Sequence, residues 1–373
     1  MTRRKIVFLF NLLQDVNIIR PVALLAREMD VDVAFLCSHK FAPRDKQQVW
    51  TQILNKLAAE CGATISEYDS PFAAYRLLQG GCGALVAASE SNLPPHVEVH
   101  DVFRAAPSGY TRVTLQHGFE CIGFLQNREH DKAHGRNVRF AADILATWMP
   151  SHRMTSMAQS ERDKVFLTGP GLLLQQGRHG VAPAGQGIVC ENLHSVRLSA
   201  SGDFRQDFMT DFGHFCAHLA TRGETVCLRP HPGGQFLTRN GIAAPSNAHL
   251  DARPIHEVDL SAFTFGVSAP SSVVLDMVLA DLPTAVWADA QGAMDTDNYD
   301  GLTLIRRQSD WLAFHRDVNL RPDMIRQRQD RFLKQLEMPL DAADVRQRFI
   351  DLLALATHRF DASPTRSHKG GST

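Results

Sequence analysis

The chain has 373 residues, enough for two α/β domains of ordinary size. Its 39 Lys and Arg residues balance 40 Asp and Glu residues, so overall charge argues against nucleic acid or an acidic membrane as the main partner. Seven scattered cysteines with no CxxC pair argue against a disulfide framework or a zinc site and indicate reduced thiols in a cytoplasm. No apolar segment approaches the length needed to cross a bilayer.

Apolar, β-branched runs alternate with helical stretches through the first half of the chain. The predicted strands are residues 5–10, 31–37, 63–67, 84–88, 112–115 and 144–147, and the helices between them include 22–29, 46–60 and 72–78. Such alternation predicts a parallel, doubly wound sheet.

A second series of elements follows a Gly-, Gln- and Pro-rich stretch at 171–187, which is the predicted linker. Its strands are predicted at 187–190, 225–228, 263–267 and 284–287, and its helices at 203–220, 272–279, 310–316, 322–337 and 342–359. We therefore expect Rossmann-like domains at 1–172 and 187–340, a helix at 341–360 that packs across both lobes, and a disordered tail at 361–373.

Three short polar segments follow predicted strands. They are Gln116-His117-Gly118, Arg229-Pro230-His231-Pro232-Gly233-Gly234 and Ser268-Ala269-Pro270-Ser271-Ser272. The carboxyl ends of parallel strands form the ligand crevice of an open α/β sheet. Because the first segment lies in one half of the chain and the others in the second half, they predict a cleft between two lobes.

The Ser-rich and His-Pro segments have the chemistry of an anion site. Pro270 can set a turn, and Ser271 or Ser272 can cap the helix that follows, so that free amides and the helix dipole face the cleft. His231, held between prolines, can donate to a phosphate. The alternative is an ordinary Ser cap and a packed His with no ligand.

Two glutamates are candidates for acid–base or nucleophilic chemistry. Glu191 follows the first strand of the second lobe, with Asn192, His194 and Arg197 nearby, and a carboxylate there can attack an anomeric carbon. Asp203 and Asp207 compete for that role, although acidic residues are common in first helical turns. Glu120 follows the Gln-His-Gly turn and lies at the cleft wall, unless it is simply a solvated loop residue.

Metal and nucleotide motifs are weak. Asp295-Thr296-Asp297 resembles a DxD motif in a polar loop, and His130 and His134 have HxxxH spacing in a segment not predicted to be helical. We expect no metal site. The chain has no GxGxxG after its first strand and no Walker loop, so neither NAD nor P-loop ATP chemistry is supported.

Three motifs together resemble those of bacterial capsule and lipopolysaccharide glycosyltransferases that use cytidine-activated donors. The motifs are Gln-His-Gly, Arg-Pro-His-Pro and Ser-Ser-x-x-x-Asp, the last of which ends at Asp276. The motifs span residues 112–287 and are most similar to those of the retaining β-Kdo transferases, which use CMP-β-Kdo. The more distantly similar CDP-glycerol glycerophosphotransferases have a related His-Gly turn and Ser-Ser helix start. The resemblance implies a GT-B fold, in which two Rossmann-like domains face each other across a cleft.

The resemblance also implies roles for the candidate residues. His231, with Arg229 and Pro270 beside it, would bind the CMP phosphate together with Ser271 and Ser272. Glu191 would be the nucleophile of a double displacement through a covalent carboxylate adduct, where the β-Kdo transferases have Asp. Glu120 would be the base for the acceptor hydroxyl. The expected substrate contacts come from the remaining positions: Gln116, His117, Gly118, Asn192, His194 and Arg197.

The expected function is thus transfer of Kdo or a related carboxylated ketose such as sialic acid from a CMP-sugar to a bacterial surface glycan, without a metal or other cofactor. The acceptor is expected to be lipid-linked, which predicts a cytoplasmic protein in peripheral contact with the inner membrane. Three alternatives stay open: a CDP-glycerol-type polyol phosphotransferase, a UDP-GlcNAc 2-epimerase-like isomerase, and a non-catalytic sugar-nucleotide-binding lobe of a larger glycan-assembly enzyme.

Overall fold

The fold is described from a computed structural model, in which residues 4–29, 31–175, 187–193, 204–231, 236–292 and 294–358 are placed. The described chain contains two parallel sheets, one of seven strands and one of six. The predicted pair of doubly wound α/β domains is therefore confirmed. No described helix is both long and apolar enough to span a bilayer.

The first sheet has the strand order β3-β2-β1-β4-β5-β6-β7. Its central strands are buried along almost their whole length, as the continuous apolar runs predict for a sheet covered on both faces. The strands are β1 Lys5–Phe10, β2 Asp32–Ser38, β3 Thr64–Tyr68, β4 Gly83–Ala87, β5 Tyr110–Leu115, β6 Ile144–Thr147 and β7 Val165–Leu167. The helices of this lobe are α1 Asp15–Arg27, α2 Phe41–Arg44, α3 Val49–Cys61, α4 Pro71–Leu78, α5 Val97–Ala105 and α6 Arg128–His134.

The second sheet has the order β10-β9-β8-β11-β12-β13. Its strands are β8 Gly187–Glu191, β9 Val226–Pro230, β10 Ala248–Leu250, β11 Phe265–Ser268, β12 Thr284–Trp287 and β13 Thr303–Ile305. The helices that follow residue 193 are α7 Phe204–Ala220, α8 Phe236–Asn240, α9 Ser272–Leu279, α10 Gln308–Leu320, α11 Pro322–Gln335 and α12 Ala342–His358. The strand order reverses between β8 and β11, which is where an open sheet of this kind binds its ligand.

The two lobes share a continuous apolar core. Phe119, from the loop after β5, is fully buried against the second lobe, with ring centroids 5.5 Å from Tyr299 and 5.9 Å from Phe332. Residues of α9, including Val274 and Leu275, join the same core. The lobes are therefore joined by packing as well as by the chain itself.

The last helix returns to the first lobe. We expected it to pack across both lobes; instead, the buried side chains of α12, such as Phe349 and Leu352, belong to the core formed with α1 and α3. Residues Gly171–Gln175, at the start of the predicted linker, form a short 3-10 helix that packs there too, with Leu173 buried. Residues 176–186 and the tail at 361–373 lie outside the described residues.

Several elements differ from the sequence predictions. Helix α1 begins at Asp15, seven residues before the predicted start, because Pro21 removes only one intrahelical bond and the flanking apolar face is buried. The segment with His130 and His134 was not predicted to be helical, yet it forms α6. Asn127 caps this helix by accepting from the His130 amide at 2.9 Å. Elements missing from the prediction are α2, α5, α8 and the short strands β7, β10 and β13.

Candidate functional site

A cavity of about 540 Å³ lies between the lobes, within the size range of small-ligand sites. Eleven of the sequence-predicted site residues line it: Gln116, His117, Gly118, Glu120, Glu191, Asn192, Arg229, His231, Pro270, Ser271 and Ser272. His194, Arg197 and the alternative nucleophile Asp203 lie outside the described residues. The structure thus brings the three polar segments together at one cavity.

The second-lobe wall is built from three neighbouring strand ends. Glu191 pairs across the sheet with Pro230, which places the Glu191 backbone beside the turn that carries His231. On the other side, Cys190 pairs with Ser268, where the Ser-rich segment begins. We placed Glu191 in a loop; it is in fact the last residue of β8, and its side chain is almost fully buried.

The start of α9 faces the cavity with one amide unused. Ser271 is the N-cap, because its hydroxyl accepts from the Val273 amide at 3.2 Å. The Ser272 amide has no hydrogen-bond acceptor among the described residues. Asn192 fixes the preceding turn by donating its Nδ2 to the Pro270 carbonyl at 2.7 Å. The helix start is therefore held in place with a donor available to an anion.

Ser272 also joins the two lobes. Its hydroxyl accepts from the amide of Phe119 at 2.8 Å, so its oxygen is already engaged with the loop after β5. A Cβ atom on Gly118 would come within 2.6 Å of the same oxygen. Gly118 is therefore required by the close approach of the lobes, whereas the sequence suggested only a tight turn.

Arg229 and His231 border this wall. Arg229 is buried and donates to the Arg253 carbonyl. Burial raises the pKa of Asp276 to about 7, and the positive charge of the nearby Arg229 guanidinium opposes part of that rise. His231 follows Pro230 directly and is half-buried at the cavity. Arg229 and His231 therefore line the same cavity as the α9 start.

Gln116 positions the loop after β5. Its side-chain Nε2 donates to the Gly118 carbonyl at 2.9 Å, and its Oε1 accepts from the Trp148 amide at 2.9 Å. Both polar atoms of this side chain are therefore used within the first lobe. Gln116 was predicted to contact substrate, and the contacts give it a supporting part in the turn.

His117 is less exposed than the sequence suggested. It packs edge-on against His96, with ring centroids 5.2 Å apart, and its buried Nδ1 has no hydrogen-bond partner within the described part of the chain. Burial lowers the pKa of His117 to about 4 and that of His96 to about 3. Both imidazoles are consequently neutral at physiological pH, so His117 offers hydrogen bonds but no charge.

The surroundings of Glu120 shift the pKa of its carboxyl. Burial raises its pKa to about 7, although donation from Asn298 and Asn127 lowers it. Asn298 Nδ2 lies 2.8 Å from Glu120 Oε1, and Asn127 Nδ2 lies 3.4 Å from Oε2. Because Asn298 belongs to the second lobe, both lobes orient this carboxyl.

The sequence analysis missed Asn298 and Asn127, and it considered His130, which also lines the cavity, only for its HxxxH spacing. Asn127 could have been found as a helix cap, had α6 been predicted. Asn298 lies in the polar loop that also contains the DxD-like segment. The carboxylate of Asp295 in that loop accepts from the Arg128 amide at 2.7 Å and pairs with its guanidinium at 3.4 Å. Asp295 thus ties the loop to α6.

The ionisation of Glu120 predicts a pH-dependent stability difference. Its folded pKa of about 7 lies above the ordinary 4.5, so the folded state holds its proton more tightly than the unfolded state. Relative to Glu120→Gln, the wild type should lose up to about 3 kcal/mol of unfolding free energy between pH 5 and pH 8. Urea unfolding of both proteins at pH 5 and pH 8 measures this change. If the difference in unfolding free energy between the wild type and Glu120→Gln is the same at both pH values, the Glu120 carboxyl ionises with an ordinary pKa.

No protein-family model and no curated protein sequence matches this chain. Solved structures do match over nearly its whole length. A UDP-GlcNAc 2-epimerase from Neisseria meningitidis, bound to UDP-GlcNAc, is 9% identical with a TM-score of 0.59, over 94% of this chain and 99% of that one. A wall teichoic acid polymerase is 12% identical with a TM-score of 0.58, over 96% and 90%.

A calicheamicin glycosyltransferase is 14% identical with a TM-score of 0.51, over 94% of this chain and 99% of that one. At these identities the likeness concerns the fold. The two facing Rossmann-like domains, the return of α12 to the first lobe and these similarities together establish that the chain has the GT-B fold.

Proposed function

We propose that the protein is a glycosyltransferase that takes a carboxylated ketose, Kdo or a close relative, from a CMP-activated donor. The observation that carries this proposal is that Glu191, Arg229, His231 and the α9 start all line one cavity. One helix start and two basic side chains suit a single phosphoryl group. The resemblance of the same motifs to retaining β-Kdo transferases supports cytidine as the nucleoside.

The proposed reaction has two displacements. The Glu191 carboxylate attacks the anomeric carbon, the bond from that carbon to the phosphate oxygen breaks, and CMP departs with the electron pair. His231 and the Ser272 amide stabilise the departing phosphate. The acceptor hydroxyl then gives its proton to Glu120 as its oxygen attacks the same carbon and the bond to Glu191 breaks. Two inversions leave the configuration retained.

The acceptor side of the site belongs to the first lobe. Glu120 and His117 lie there. The raised pKa of Glu120 suits a base that works near neutral pH, and the lowered pKa of His117 leaves its imidazole an uncharged hydrogen-bonding group. We propose a lipid-linked bacterial glycan as acceptor and a cytoplasmic protein that meets the inner membrane peripherally. In this proposal the phosphate charge is balanced by side chains and the helix dipole, without a metal ion.

Calorimetric titration with CMP and UDP tests the donor. CMP should bind, and His231→Ala should weaken it by about tenfold or more, because one charge-assisted hydrogen bond is lost. The matched control is His249→Ala, an exposed histidine on β10 of the same lobe, which should bind CMP normally. UDP binding without CMP binding would favour the UDP-GlcNAc 2-epimerase-like alternative instead.

A further inference from the structure

A buried hydroxyl in the second lobe has no hydrogen-bond partner. It belongs to Tyr299, which follows Asn298 in the short 3-10 helix at Asp297–Tyr299 and is fully buried. Its Oη completes no hydrogen bond with any residue that the structure describes. Because buried hydroxyls in folded proteins are nearly always satisfied, this exception calls for a physical explanation.

The contacts of Tyr299 place it against Glu120. Its ring centroid lies 5.5 Å from that of Phe119, the residue directly before Glu120. Asn298, the residue directly before Tyr299, donates its Nδ2 to Glu120 Oε1 at 2.8 Å. The Tyr299 hydroxyl itself faces the Glu120 carboxyl and the backbone amide of Ser271, without completing a well-formed hydrogen bond to either. Two neighbouring pairs of residues thus hold the hydroxyl beside the carboxyl.

The other groups around this carboxyl do little to stabilise a negative charge on it. Asn127 Nδ2 lies 3.4 Å from Oε2, which is long for a hydrogen bond. The carboxylate of Asp295 is close enough to oppose a second negative charge, although it also pairs with Arg128. On the cavity side, burial lowers the pKa of both His117 and His130, so neither imidazole brings a positive charge. The ionised carboxylate therefore has a use for a further donor.

We infer that Tyr299 is a positioning residue that sets the ionisation of Glu120, because its hydroxyl donates to the carboxylate once the carboxyl has lost its proton. A donor that acts mainly on the charged form favours that form. Burial holds the pKa of Tyr299 well above its ordinary value, so the tyrosine keeps its own proton throughout. The inference rests on the proposed function only for the role of Glu120 as base.

Tyr299→Phe tests the inference without any substrate, because it removes the hydroxyl and keeps the ring that packs on Phe119. The stability difference between the wild type and Glu120→Gln should fall with rising pH and become constant above the folded pKa of Glu120, about 7. The same difference between Tyr299→Phe and the double variant Tyr299→Phe/Glu120→Gln should become constant about one pH unit or more higher. The reason is the loss of a hydrogen bond to a charged group. Urea unfolding of the four proteins from about pH 4 to about pH 10 measures both curves.

Tyr68→Phe is the matched control. Tyr68 lies in β3 at the edge of the first sheet, is also buried, and its hydroxyl likewise has no partner in the described part of the chain. Measured in the same way, this variant should give the wild-type curve. An unshifted curve in Tyr299→Phe, or an equal shift in Tyr68→Phe, overturns the inference.

The pH dependence of sugar transfer separates this inference from the proposed function. If Glu120 is the base, the acid limb of the rate profile for transfer to the acceptor should move to higher pH in Tyr299→Phe by the same amount as the unfolding curve. Formation of the covalent adduct should keep its wild-type rate. A shifted unfolding curve with an unshifted rate profile would uphold the role of Tyr299 and reject Glu120 as the base.

Discussion

Replacing Glu191 with Ala should abolish the covalent sugar adduct and reduce transfer to background. Glu191 ends β8 between the strand that leads to His231 and the strand that leads to Ser271. Removing its carboxylate removes the atom that forms the new bond, so a loss of several orders of magnitude is expected. Intact-protein mass spectrometry after incubation with CMP-Kdo should show one added sugar in the wild type and none in Glu191→Ala.

The companion variant is Glu120→Gln, which keeps the shape of the side chain but cannot accept the acceptor's proton. It should still form the adduct and should accumulate it in the presence of acceptor, because only the second displacement needs the base. An adduct that persists in Glu191→Ala would move the nucleophile elsewhere, with Asp203 the next variant to measure. Full transfer from CMP-Kdo in Glu191→Ala would show that the reaction does not use the Glu191 carboxylate as nucleophile.

Phe119→Ala should produce the largest loss of stability. The Phe119 ring is fully buried and contacts Tyr299 and Phe332 across the lobe junction. Removing a buried Phe ring costs about 3–5 kcal/mol, and here the resulting cavity would lie between the lobes. Urea unfolding should therefore show a lower midpoint, and CMP affinity should fall as well, since the Phe119 amide holds Ser272 at the α9 start.

Phe72→Ala is the matched control for this prediction. The Phe72 side chain on α4 is 69% exposed, so the same substitution there should change the unfolding free energy by less than about 1 kcal/mol. Similar small effects for both variants would contradict a shared core between the lobes and would indicate that they pack independently.

Long apolar runs made the architecture predictable from the sequence. Strands β1, β4 and β8 are buried on both faces, so their sequences are continuously apolar and flanked by helical patterns. Strands β7, β10 and β13 have only three residues each, and Ile305 of β13 is their one buried residue, which leaves no such pattern. Helix α6 was missed because one of its first amides is satisfied by Asp295, a residue far away in the chain.

The sequence also predicted many of the residues that line the site, because their position after strands could be recognised. Carboxyl ends of parallel strands meet at one edge of a sheet, so segments that follow such strands converge wherever the lobes face each other. The partners that adjust the site were not predictable, because they depend on how the lobes dock. Asn298 reaches Glu120, and Phe119 reaches Ser272, only through that docking.

A crystal structure of the protein with CMP tests the central claim most directly. The phosphate should lie at the start of α9, with its oxygens about 3 Å from the Ser272 amide and from a ring nitrogen of His231. The nucleoside should extend over the second lobe. A phosphate bound away from both groups, or a nucleoside seated against α1, would contradict the account.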